Sequence, residues 1–76
     1  MDGPTEKRDV KNIGKNLYIT RKEEMKKTQE EFAEMISMSK DTVSNIERGV
    51  VVPTMNCMVQ ISNITRKTID SFLVEG

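Results

Sequence analysis

The chain has no histidine, a single cysteine, one tyrosine and two phenylalanines in 76 residues. It also lacks a second cysteine, a glycine-rich phosphate loop and any acidic cluster at metal-ligand spacing, so the groups most enzymes and metal centres rely on are missing. The expectation is a protein that is not an enzyme and takes no metal or cofactor. Cys57 has no partner for an internal disulfide, and no segment has the length of a membrane span or the pattern of a secretion signal. A reduced, cytoplasmic setting follows as an expectation. Charge of one sign is not in excess either, with 12 Lys and Arg against 12 Asp and Glu. The overall positive charge that would alone point to nucleic acid is therefore absent. A chain of this length supports one domain with one small core, and six methionines beside the aliphatic residues suggest what fills it.

What is present is unevenly spread. Residues 1–27 hold eight basic and five acidic side chains, whereas residues 28–50 hold only Lys40 and Arg48 against Glu30, Glu31, Glu34, Asp41 and Glu47. The positive side is thus expected on the first helix and its flanks. Residues 1–9 are polar, contain Gly3 and Pro4 and have no apolar face, so they read as a flexible N-terminal arm, with the folded domain spanning 10–76. A first helix is expected from residue 10 or 12 to about 26, carrying Ile13, Leu17 and Met25. Tyr18 and Ile19 are consecutive, which obliges one to face outward unless the helix is covered.

Thr28 precedes an apolar-periodic run and Glu31 stands three residues on, the pattern of a capping box. Phe32, Ala33, Met35 and Ile36 fall at helical spacing and predict a second helix of about three turns with an inward face. Ser37, Met38 and Ser39 interrupt it. Ser39 is a good N-cap for a third helix in which Val43 and Ile46 point inward, and Gly49 closes that helix. Lys40, Asp41, Thr42, Ser44, Asn45 and Arg48 are left on the outward side. Short polar residues are poorer helix formers than Glu or Lys, so this face is unusual as plain solvated surface and well suited to touching base edges. Val50, Val51, Val52 and Pro53 then break the helical pattern. A fourth helix starts near Thr54 with Met55, Met58, Val59, Ile61 and Ile64 as its apolar stripe, and Thr68 caps a short fifth through Ile69, Phe72 and Leu73.

The order Ile13-Gly14-Lys15-Asn16, Arg21-Lys22-Glu23, Thr28-Gln29-Glu30-Glu31-Phe32-Ala33, Ser39, Ile46-Glu47-Arg48-Gly49, Pro53-Thr54, Ile61 and Ile69-Asp70-Ser71-Phe72 resembles the Cro/repressor-type helix-turn-helix proteins over residues 13–74. The resemblance implies an all-α, compact, five-helix lambda-repressor-like domain that binds double-stranded DNA, with the helix near residues 39–48 in the major groove. Lys40, Asp41, Thr42, Ser44 and Asn45 match base-facing positions. Lys40 suits guanine O6 or N7, Asn45 adenine, Asp41 the amino group of cytosine and Thr42 the thymine methyl. Gln29, Ser39 and Arg48 match phosphate-contacting positions. Arg48 also suits a C-terminal cation favouring the helix dipole, and Gln29 an ordinary first-turn residue. Glu47 is implied to pair with Arg21, with Lys22 as competitor, in a structural ion pair that orders the motif.

Three departures stand out. One residue more than the family pattern separates the first and second helices, so the register of the first is not set by the sequence. Ser37 occupies a turn position where the family prefers glycine, predicting strain or an altered dihedral. Val50, Val51 and Val52 replace a stretch that is often basic; they read either as core or as a patch for a partner subunit. Leu73 and Val74 are a second candidate seam, and Cys57 reads as a small core residue. The expected function is a sequence-specific, repressor-like transcriptional regulator acting as a homodimer without small-molecule substrate or membrane. The alternative is a protein-binding adaptor or antitoxin on the same fold.

Overall fold

Four of the five α-helices, and the 3-10 turn that leads into the first, start on a side chain that satisfies backbone N–H groups a helix leaves open. Asp9, Thr28, Ser39, Thr54 and Thr68 accept from Lys11, Glu31, Thr42, Cys57 and Ser71 respectively. The computed structural model describes residues 8–75 and contains, among these, five α-helices and no strand: α1 Ile13–Ile19, α2 Gln29–Met35, α3 Lys40–Glu47, α4 Met55–Thr65 and α5 Ile69–Leu73. A 3-10 turn, Val10–Asn12, leads into α1. The arm assigned to residues 1–9 lies largely outside the described residues. Arg8 and Asp9 belong to the folded body, Arg8 through an ion pair to Asp70 at 2.8 Å and Asp9 through its backbone N–H to Leu73 O.

The expected continuous first helix is instead α1 followed by a wide turn. Thr20–Met25 is π-helical, and Lys26 ends it in a left-handed conformation at φ 57° with its N–H donating to Arg21 O, five residues back. A π-helical turn is the ordinary way to absorb one extra residue without shifting the rest of a helix. The surplus residue is taken up here, so Ile13 and Leu17 keep their inward register while Met25 still packs against the core.

Phe32, Phe72, Leu17, Ile36, Ile46, Ile61 and Val43 are fully buried and come from all five helices. Cys57 is buried beside them, and burial raises its thiol pKa by disfavouring the thiolate. Several apolar positions depart from the sequence reading. Met35 is 41% exposed because α2 is only two turns long and turns that side outward, and Met55 and Val59 of the expected α4 stripe are 67% and 42% exposed. Tyr18 and Ile19 both face out, Tyr18 beneath Arg21 and Lys22 at 5.4 and 5.7 Å from the ring centre. The core reading of the valine run is overturned, since Val50, Val51 and Val52 are 59%, 42% and 60% exposed: Gly49 turns the chain away before they begin. Leu73 packs against the core, and the carbonyls of Phe72, Leu73 and Val74 accept from Asn12 and Asn16, which joins the C-terminus to α1.

Candidate nucleic-acid interface

Two turns of the same geometry set the angle between α2 and α3 and the exit from α3. At Ser37 (φ 59°) Met38 N donates to Ala33 O at 2.8 Å and Ser37 N to Glu34 O, while at Gly49 (φ 78°) Val50 N donates to Asn45 O at 2.8 Å and Gly49 N to Ile46 O. This is the paired bonding of a left-handed helix stop. Serine accepts the conformation that glycine would adopt without strain, so the turn is kept in the predicted strained form.

The α2 start is held by a full capping box. Thr28 Oγ1 accepts from Glu31 N, and Thr28 N donates to Glu31 Oε1. Those hydrogen bonds hold the Glu31 carboxyl below its ordinary pKa, so its contribution is complete above the ordinary carboxylate range and fades as pH falls through the lowered value.

Beneath α3 lies an ionic clasp. Arg21 Nε and Nη2 donate to Glu47 Oε2 and Oε1 at 2.6 and 3.0 Å, and their side chains are 8% and 4% exposed. Gln29 Nε2 adds a third bond to Glu47 Oε1 at 3.0 Å, and Arg21 Nη1 donates to Lys27 O at 2.7 Å. One carboxylate thereby joins the wide turn, the α2 start and the α3 end. The resemblance implies the Arg21–Glu47 pair with Lys22 as competitor; Lys22 is exposed and lies over Tyr18 instead. Gln29 is half-buried, with its side-chain Nε2 committed to Glu47.

On the outer side of α3, Lys40, Asp41 and Arg48 are exposed, and Thr42, Ser44 and Asn45 half-buried. Ser39 Oγ accepts from Thr42 N and bonds Thr42 Oγ1 at 2.9 Å, so the cap also orients Thr42. The side chains of Lys40, Asp41, Ser44, Asn45 and Arg48 have no hydrogen-bond partner among the described residues, in contrast to the fully engaged Arg21 and Glu47. Thr42 and Asn45 also line an open groove of about 300 Å³ with Met38, Val51, Val52 and Pro53. Residues 49–65 contain no Asp, Glu, Lys or Arg, so the surface beyond this groove is uncharged. That charge-free run, and the lysines at the wide turn, are features the sequence reading did not join to a site; the charge asymmetry and the inserted residue were the signals available.

A helix-turn-helix family model matches residues 17–72. The chain belongs to the Cro/repressor-type helix-turn-helix family. Searches of curated proteins and of solved structures gave no match. The helix-turn-helix family is a DNA-binding one and not enzymatic, so the chain carries a DNA-binding helix-turn-helix in the general sense. Among the described residues there is no group of metal-ligating side chains and no helix long and apolar enough to cross a membrane.

Proposed function

We propose that this helix-turn-helix protein is a sequence-specific, repressor-like transcriptional regulator that works in the cytoplasm as a homodimer on a two-fold symmetric operator. The observation that carries the reading is the outer side of α3, where polar side chains without internal partners sit on a helix capped at both ends and clasped from beneath. Lys40, Asp41, Thr42, Ser44 and Asn45 read base edges in the major groove. Ser39, Arg48 and the backbone N–H of Gln29 meet phosphates, which set the register without reading sequence. Repression is by occupancy, and two half-sites about one helical turn apart combine through effective concentration.

The test is fluorescence anisotropy on duplexes selected from a random pool. Lys40→Ala and Asn45→Ala are each expected to lose about 1–3 kcal/mol of discrimination at one base pair, roughly 5- to 150-fold. If both variants rank every duplex as the parent does, the base-reading assignment fails.

Support for the homodimer comes from the exposed Val50, Val51, Val52 and Met55 on the charge-free segment. In a two-fold contact each patch meets its own copy, so a charge there would face its like, and interface centres are depleted of charge. Sedimentation at micromolar concentration should show a dimer that Met55→Lys converts to monomer; a parent that stays monomeric with and without operator counts against it. The same apolar face favours a second reading, a protein-binding adaptor or antitoxin. Salt separates the two, because DNA affinity falls linearly in log against log salt whereas an apolar interface responds little.

A further inference from the structure

We infer that the wide turn after α1 forms a cationic corner, Lys22, Lys26 and Lys27, that grips a phosphate of the DNA backbone beside the α2 start. This rests on the DNA-binding reading and adds a contact to it.

Four of the five residues lining one open concavity of about 350 Å³ are cationic: Arg21, Lys22, Lys26 and Lys27, with Thr28 the fifth. Arg21 is committed to Glu47 and Lys27 O, which leaves three exposed lysines as the charges available to a ligand. The acids nearby are largely engaged elsewhere. Glu24 pairs with Lys67 at 2.8 Å, and Glu31 closes the capping box with Thr28, although its charge also lies within reach of Lys27. Glu23 is exposed, and its backbone carbonyl lies 3.4 Å from Lys26 Nζ. Lysine is costly to gather in one place without an anion to neutralise it, since like charges repel.

The geometry explains how the lysines come together. The π-helical turn keeps Met25 against the core, and the left-handed Lys26 then reverses the chain, so that Lys26 and Lys27 both emerge exposed just before Thr28. Without the surplus residue, the position ahead of Thr28 would be needed for the core. The corner is tied rigidly to the base-reading helix, because Lys27 O accepts from the same arginine that holds Glu47 at the end of α3. A phosphate bound there reports directly on the placement of α3. It also compensates for the three valines that supply no charge after Gly49.

The probe is a mixed-sequence duplex of about 20 base pairs, where binding is almost wholly electrostatic, together with the selected operator. Lys22→Gln, Lys26→Asn and Lys27→Gln remove charge while asparagine tolerates the left-handed position. The phosphate held by the corner contributes about 0.9 to the slope of log affinity against log salt, so losing it lowers affinity about eightfold at 0.1 M salt. The expected result is a shallower slope on both duplexes with base preference and melting temperature unchanged. A triple variant with the parent slope overturns the corner while operator binding by the parent leaves the DNA reading intact. A parent that binds neither duplex overturns both. A parallel Lys11→Gln variant, whose charge lies at the other end of α1, should leave the slope unchanged; an equal drop there would reduce the corner to non-specific net charge and overturn it.

Discussion

Glu47→Ala should lower the melting temperature by about 12–40 °C, the largest effect expected of any single substitution at a charged residue. The change leaves the Arg21 guanidinium, 8% exposed, without its carboxylate and takes the partner from Gln29 Nε2. Breaking one side of a buried pair costs about 3–5 kcal/mol, and in a domain of this size each kcal/mol moves the midpoint by roughly 4–8 °C. Total stability for such a chain is about 4–11 kcal/mol, so much of the margin goes. The cost comes from the stranded cation rather than from any large net gain made by the pair. Replacing both partners by apolar residues, Arg21→Met with Glu47→Leu, should therefore recover most of the loss. Thermal melts followed by circular dichroism read this directly. A Glu47→Ala protein that melts within a few degrees of the parent would show the clasp to be ornamental. If the double variant melts no higher than the single one, the hydrogen bonds rather than the charge carry the contribution.

Gly14→Ala is expected to destabilise the domain by about 1–3 kcal/mol or more and to weaken operator binding further than that loss explains. Two effects oppose each other. Alanine is the better helix former, worth about 1 kcal/mol inside a helix. Against it, a Cβ at Gly14 would stand 2.5 Å from Ile46 O and 2.8 Å from Glu47 O, both backbone atoms at the end of α3. Backbone has no rotamer to escape into, so the helices must separate and the clash prevails. Because the displaced element is the end of the helix proposed to read bases, its tilt changes with it, moving Asn45 and Arg48. Melts paired with anisotropy at a temperature where both proteins are folded separate the two consequences. A Gly14→Ala protein more stable than the parent would mean that α1 and α3 do not touch closely there.

Much of this architecture was readable before any coordinates. Thr28, Ser39 and Thr68 were recognisable as caps because capping depends on a side chain and a backbone N–H only two or three residues away. Gly49 as a left-handed stop was equally local. Less was legible where an apolar residue had a choice of side. Met35, Met55 and Val59 fit their helical stripes by spacing, yet which edge of a broad stripe meets the core depends on how short helices are set against one another. The valine run is the sharpest case, since β-branched residues favour burial equally well in a core or against another molecule.

The clasp and the corner mark the boundary between the two kinds of information. Sequence alone determined where α2 to α5 start, where α3 stops, the inward face of α3 and the family, because each rests on short-range chemistry or on a spacing that survives in the chain. Tertiary structure decided that Gln29 joins the Arg21–Glu47 pair, that Lys22 stays outside it, and that a surplus residue becomes a wide turn presenting lysines instead of a shifted helix. Those outcomes depend on distances between atoms far apart along the chain, and such distances exist only once the helices are packed.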